Sequence, residues 1–181
     1  MKMVDHAIWY GSLGYPVFPC VKGGKAPLTT HGYKDASTEE EAIREMWERE
    51  PLANIGLSAK GLLVIDVDKE DNPWPSDPDK AESLAAAPIA LTPNSGRHYV
   101  FRRPEGKEWK CTTSKIADSV DIRTDGGHIV VAPSTFGGKE YRWAEYCELN
   151  VPPNELPLPP SWLAEEMDNI TEPASSPAML E

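Results

Sequence analysis

Cysteine is scarce in this chain: Cys20, Cys111 and Cys147 lie far apart, with no Cys-x-x-Cys pair. That pattern excludes a disulfide framework or a zinc ribbon as the basis of the fold, and reduced thiols are expected. Long apolar runs are missing as well, none approaching the roughly 20 residues that a helix needs to cross a bilayer. The start, Met1-Lys2-Met3-Val4-Asp5-His6, has no apolar signal-peptide core, so a cytoplasmic protein without a membrane partner is expected. Positive charge is also short, with 18 Lys and Arg against 29 Asp and Glu and a formal net charge of −11. A broad basic surface that coats nucleic acid is thereby excluded, because such binding relies on Lys and Arg displacing counterions from phosphate. Six of the eleven excess charges fall on Glu155, Glu165, Glu166, Asp168, Glu172 and Glu181, in a stretch without Lys or Arg. No internal repeat is apparent. The glycine-rich run Lys22-Gly23-Gly24-Lys25-Ala26-Pro27 lacks the Gly-x-x-x-x-Gly-Lys-Ser/Thr spacing of a phosphate-cradling P-loop.

What is present suits one folded domain. The 181 residues are 40% hydrophobic and 26% charged, an ordinary balance for a globular protein long enough to bury a core. Val4, Ala7, Ile8 and Leu13 at helical spacing predict a helix over 3–13, with Gly14 as its cap. A strand follows over 16–21. Thr38 with Glu41 forms a capping-box pattern for a helix whose core stripe is Ile43, Met46 and Trp47. Strands over 54–57 and 62–68, joined by Ser58-Ala59-Lys60-Gly61, read as a hairpin. The proline-broken stretch 71–78 is a loop and 79–87 a helix ending before Pro88. Strands over 89–92, 97–103, 119–123, 127–132 and 139–144 make the rest mostly antiparallel sheet. Beyond residue 150, Pro152, Pro153, Pro157, Pro159 and Pro160 form a stiff connector, Ser161 caps a short helix through Met167, and disorder is expected after that. The class is α+β.

Chemistry concentrates in three segments. Val64-Ile65-Asp66-Val67-Asp68 and Val120-Asp121-Ile122-Arg123 are β-branched enough to hold their charges on rigid strands. Alternation puts Asp66 and Asp68 on one face, and Asp121 and Arg123 on one face. Such carboxylates offer oxygen ligands to a hard divalent cation, or to a pair roughly 3.5–4 Å apart. The plain alternative is a strand end bearing solvated acids. Between the two lies Asn94-Ser95-Gly96-Arg97-His98-Tyr99-Val100-Phe101, where Gly96 permits close backbone approach and His98 can meet phosphate at the entrance to an apolar strand. Tyr99 and Phe101 share the face opposite His98 and read as core rather than as a base-stacking platform.

The order of these segments resembles a known family. Gly14-Tyr15-Pro16-Val17-Phe18-Pro19, Gly24-Lys25-Ala26-Pro27, Lys34-Asp35-Ala36-Ser37-Thr38 and Ala53-Asn54-Ile55-Gly56-Leu57 precede the Asp66 strand. The glycine-histidine strand follows, then Ser119-Val120-Asp121-Ile122-Arg123 and Gly126-Gly127-His128-Ile129-Val130-Val131-Ala132-Pro133-Ser134. Over most of 4–145 the chain resembles the primase-polymerase domains of the archaeo-eukaryotic primase superfamily, of the plasmid and phage bifunctional DNA primase/polymerase type. Ser95 stands where that family usually has the first of two glycines, and is small enough to keep the turn.

The resemblance implies a primase-polymerase fold, with a small N-terminal α/β lobe and an RRM-like catalytic sheet in residues 1–150. Residues 151–181 then form an acidic, proline-rich C-terminal segment. It implies template-directed nucleotidyl transfer in the replication of a mobile element or phage, with DNA template and primer, dNTP or NTP, and Mg²⁺ or Mn²⁺. Asp66, Asp68 and Asp121 would be the metal-holding catalytic carboxylates. Asn94, Gly96, His98, Arg123 and Lys25 would contact the nucleotide, Lys25 competing with a reading as a solvated loop lysine. A helicase or helical accessory domain is a possible partner. Two other readings stay open: a degenerate or accessory module that binds nucleotide or a partner without efficient synthesis, and a metal-dependent nuclease or nucleotide hydrolase. His6 and His31 read as surface residues, His128 as structural, and Ser134 as a turn residue with no base to activate it.

Overall fold

The computed structural model describes residues 1–171. Among them are four helices, α1 (Met3–Leu13), α2 (Glu40–Arg49), α3 (Pro78–Leu84) and α4 (Ser161–Thr171). The strands are β1 (Val17–Cys20), β2 (Asn54–Ser58), β3 (Leu62–Val67), β4 (Ile89–Leu91), β5 (Arg97–Arg102), β6 (Thr112–Ala117) and β7 (Val120–Arg123). After these come β8 (His128–Val131), β9 (Thr135–Phe136), β10 (Lys139–Glu140) and β11 (Arg142–Trp143). Every pairing is antiparallel: β1-β2-β8 form a three-stranded sheet, β11-β4-β5-β3-β7-β6 a six-stranded one, and β9 pairs with β10. This mixed helix-and-sheet architecture agrees with the α+β expectation. No helix among the described residues is long and apolar enough to cross a membrane.

The alternation of β3 sets the layers. Leu63, Ile65 and Val67 enter one core with Tyr99, Phe101, Val120 and Ile122, while Leu62 and Val64 enter another with Val100. The first core is closed by Leu84 after α3's other turns and by Leu163 and Met167 of α4. The second is filled by Ile55, Leu57, Ile129 and Val131 of the three-stranded sheet and by Ala7, Tyr10, Ile43 and Trp47 of α1 and α2. Tyr99 and Phe101 are core residues, as their face implied.

Several local expectations change. β2 and β3 are not a hairpin: β2 pairs with β1 and β8, β3 with β5 and β7, and residues 58–61 carry the chain from one sheet to the other. Ala59 is fully buried at this crossing, a packed corner rather than a solvated turn. The capping box at Thr38 does not form. Glu39 is the N-cap of α2, and Ser37 Oγ instead accepts a hydrogen bond from Glu39 N at 3.0 Å. The strand expected over 139–144 divides into β10 and β11, which join different sheets around the buried Tyr141. β6 is an addition, a polar edge strand exposed over residues 113–115, with an irregular register and Ser114 at φ 53°. α4 continues through Thr171, so residues 168–171, expected to be disordered, are helical. Residues 172–181, the remainder of that expectation, lie outside the described residues.

The side chains of Leu163 and Met167 tie α4 to the face of the six-stranded sheet. Leu163→Ala should lower unfolding free energy by about 2–5 kcal/mol, as removal of a fully buried leucine does elsewhere. Urea denaturation followed by far-UV circular dichroism measures this, and an unchanged midpoint would show that the helix is not part of the cooperative body.

Candidate active site

Three strands bring the charged residues together. In the six-stranded sheet Asp66 of β3 stands opposite His98 of β5 on one side and opposite Asp121 of β7 on the other. Directly opposed residues of an antiparallel ladder share a face, with Cβ atoms about 4.5–5.5 Å apart. The three side chains thus form a row across the sheet. Each is anchored by buried neighbours on the reverse face: Ile65 and Val67 beside Asp66, Tyr99 beside His98, and Val120 and Ile122 beside Asp121. At this end the two sheets part around a cleft of about 350 Å³, lined by Asp66, His98 and Arg123 from one sheet, by β8 from the other and by Lys25 from the loop after β1; Asp121, beside Asp66 in the row, does not line it.

The carboxylates are already paired. His98 Nε2 lies 3.4 Å from Asp66 Oδ1, with the histidine side chain 7% exposed and the aspartate side chain 24% exposed. Burial by itself would raise the Asp66 pKa, but the hydrogen bond and charge of His98, then Arg123 and Lys25, outweigh it and hold the carboxyl below its usual value. Asp121 is held at both oxygens: Ser114 N donates to Oδ1 at 3.0 Å, and Arg123 Nη2 to Oδ2 at 3.2 Å. The left-handed backbone of Ser114 is part of the irregular β6 edge whose N–H reaches Asp121. His98 Nδ1 is buried without a hydrogen-bond partner among the described residues.

The other candidates divide. Arg123 and Lys25 line the cleft, and Lys25 Nζ also lies 5.0 Å over the Phe136 ring. Asp68 falls one residue beyond β3, is exposed, and does not line the cleft. Asn94 and Gly96 belong to the turn before β5 and do not line it either. Asn94 is exposed, whereas Gly96 is packed so closely on the end of β3 that a Cβ there would stand 2.4 Å from Val67 O. The close approach that this glycine permits is to the neighbouring strand.

Three residues outside the sequence candidates also line the cleft: His128, Tyr141 and Cys111. His128 and Cys111 flank the Gly126-Gly127 turn, and a Cβ on Gly127 would lie 2.8 Å from Cys111 Sγ. Burial raises the Tyr141 phenol to about 12, with the charges of Asp66, Cys20 and Asp68 adding to it. The paired glycines before His128 were the available signal; nothing local marked Tyr141, which the β10–β11 break delivers.

Among the described residues no three His, Cys, Asp or Glu side chains are grouped to hold a metal ion. The donors that do share the row, Asp66 and Asp121, are hard oxygen ligands. Mg²⁺ is commonly held by one or two carboxylates, with substrate phosphates and water completing its shell. The donor set therefore fits a cation that shares its ligands with a nucleotide. A carboxylate and a histidine in a cleft that Lys25 and Arg123 also line, with Asp121 next in the row, are suited to handling phosphate groups. The family model described as "Bifunctional DNA primase/polymerase, N-terminal" matches residues 7–161, and the chain belongs to that family. A comparison with curated proteins finds none that matches the chain.

Because the folded protein holds the Asp66 carboxyl below its ordinary value, its ionisation contributes stability above the usual carboxylate range. That contribution is lost as pH falls through the folded-state value. In metal-free buffer, Asp66→Asn should flatten the acid limb of stability against pH below about pH 4. Urea midpoints across that range test it; parallel curves for the two proteins would show that Asp66 ionisation does not contribute.

Proposed function

We propose that the chain catalyses template-directed nucleotidyl transfer, as a DNA primase/polymerase acting in the replication of a mobile element or phage. The observation that carries this reading is the row of Asp66, His98 and Asp121 across three strands, with Asp66, His98, Arg123 and Lys25 lining one cleft and Arg123 bonded to Asp121, in a chain of this family. The six-stranded sheet would be the RRM-like catalytic sheet of residues 1–150, with the three-stranded sheet, α1 and α2 as the small lobe. DNA template and primer and a nucleoside triphosphate are the proposed partners. A helicase or helical accessory domain would supply template affinity that a chain with a net charge of −11 lacks.

Each group has a part. Lys25 and Arg123 place positive charge where a triphosphate would lie, and His98, held against Asp66 through Nε2, lines the same cleft. Asp66 and Asp121, with Asp68 a more distant contributor, would hold Mg²⁺ or Mn²⁺. When bound, such ions lower the proton affinity of the attacking hydroxyl and neutralise charge on the phosphates. Arg123 bonds Asp121 and also faces the cleft, so the same guanidinium can exchange a carboxylate for a phosphate at little electrostatic loss. Asn94 and Gly96 act at the end of the β4–β5 turn, by shaping it.

A reading as a nucleotide- or partner-binding module without efficient synthesis draws on the acidic balance and on the absence of a three-ligand cluster among the described residues. Primer extension and primer synthesis assays, each with dNTPs or NTPs and with Mg²⁺ or Mn²⁺, separate the readings. Asp66→Ala and Asp121→Ala should each lower incorporation by at least about a hundredfold, a loss of roughly 3 kcal/mol in transition-state stabilisation. Asp68→Ala should cost less. Full incorporation by the first two variants would remove the catalytic assignment, and no incorporation by the unaltered chain alongside measurable nucleotide binding would favour the module.

His98→Ala should weaken nucleotide affinity more than template affinity, because its contact is with the triphosphate. Calorimetric titration of nucleotide and anisotropy with labelled DNA give the two constants. Equal losses in both would assign His98 a structural part.

A further inference from the structure

His128 opens β8 on the cleft wall that faces the Asp66 row. Its Nε2 lies 3.2 Å from the carbonyl oxygen of Lys25. A carbonyl only accepts, so Nε2 carries the hydrogen in both the neutral and the protonated ring. The tautomer is thereby set, and in the neutral ring Nδ1 is a lone pair. Nδ1 has no hydrogen-bond partner among the described residues, and it is not one of the buried polar atoms sealed from solvent. Phe18 packs edge-on against the ring at 5.1 Å between centroids, which fixes its plane. Support of the Lys25 carbonyl explains one nitrogen and leaves the other without a partner, on a residue that lines the cleft.

The charged and titratable groups that share this cleft come from every element around it. They are Lys25 from the loop after β1, Arg123 from β7, Asp66 and His98 from β3 and β5, the Cys111 thiol before β6, and the Tyr141 phenol between β10 and β11. Burial lowers the His128 pKa below the usual imidazole value, the Lys25 carbonyl opposes that, and Arg123 adds to it, so the neutral ring is favoured. Phosphate oxygens are acceptors. Against a lone pair they repel, and against a protonated Nδ1 they form a charge-assisted hydrogen bond.

Resting on the nucleotide reading above, we infer that His128 is a further nucleotide-contacting residue whose Nδ1 takes a proton from solvent when a phosphate group enters between Lys25 and Arg123. Nucleotide binding is then coupled to proton uptake. The added positive charge is offset by the incoming anion, and affinity rises as pH falls through the imidazole range. A histidine serving only the Lys25 carbonyl would leave both quantities unmoved.

The test is calorimetric titration of the full chain, in Mg²⁺ and without template, with a deoxynucleoside triphosphate in buffers of different ionisation enthalpy. The unaltered chain should take up a fraction of a proton per nucleotide near neutrality, and bind on the order of three- to tenfold more tightly at about pH 6 than at about pH 8. His128→Asn should lose that share of proton uptake and flatten the pH dependence of affinity. Equal proton uptake in the two proteins overturns the inference and leaves the nucleotide reading standing; no binding by the unaltered chain overturns both. Should the variant not fold, the His128 ring can be titrated by NMR in the unaltered chain, where added nucleotide must raise its pKa and an unchanged value overturns the inference.

Discussion

The double pairing of β3 is the constraint on which the rest of this structure depends. With β5 on one side and β7 on the other, its backbone groups are satisfied within the sheet, and its register decides what each face carries. A slip of one residue would drive Asp66 into the core held by Ile65 and Val67 and expose those apolar chains. Burial of Leu63, Ile65 and Val67 on one face and of Leu62 and Val64 on the other makes such a slip prohibitively unfavourable. The position of Asp66 beside both His98 and Asp121 is thus enforced by hydrophobic packing, not by attraction between the charged groups. That order of causes suits a site whose electrostatics must change when a ligand enters, since the scaffold does not rely on them.

Both faces of the six-stranded sheet are occupied, which distinguishes this arrangement from an open nucleic-acid platform. α4 and the end of α3 close one face with Leu163, Met167 and Leu84. The three-stranded sheet closes much of the other, until the sheets diverge at the Asp66 row. Any ligand must enter from that edge. Its walls come from residues distant in sequence, Lys25, Asp66, His98, Arg123 and His128, so the cleft is a product of the fold as a whole.

The parts legible in the sequence were those governed by local periodicity. Alternation in Val64–Asp68 and Val120–Arg123 identified the two acidic strands, and the same rule turned Tyr99 and Phe101 into the core away from His98. Pairing partners were less legible, because a short linker such as Ser58–Gly61 has the composition of a turn whether it joins neighbours or crosses between sheets. β6 escaped notice since its exposed Thr113, Ser114 and Lys115 carry no apolar alternation. Gly96 was marked as special for backbone approach, and the atom it approaches, Val67 O, is visible only once the strands are assembled. His128 and Tyr141 owe their place in the cleft to β8 and to the β10–β11 break, which no motif announces.

The acidic balance is compatible with a cleft lined by Lys25 and Arg123 because both carboxylates of the row already have partners. Asp66 meets His98 and Asp121 meets Arg123, while Lys25 remains near enough to favour the ionised Asp66. Such pairing stabilises the partly buried carboxylates, which would be costly to desolvate unpartnered. It also sets the terms of binding. A phosphate that enters must replace contacts already made, so its net gain is the difference between two charge-assisted sets rather than the full strength of the new one. Specificity would then follow from geometry: an anion that reaches Arg123 and Lys25 together recovers more than it displaces, whereas one that reaches a single cation does not. Under the proposed nucleotide reading, selectivity for a multiply charged, extended ligand over a small anion would be the physical consequence of a cleft whose carboxylates are paired before anything binds.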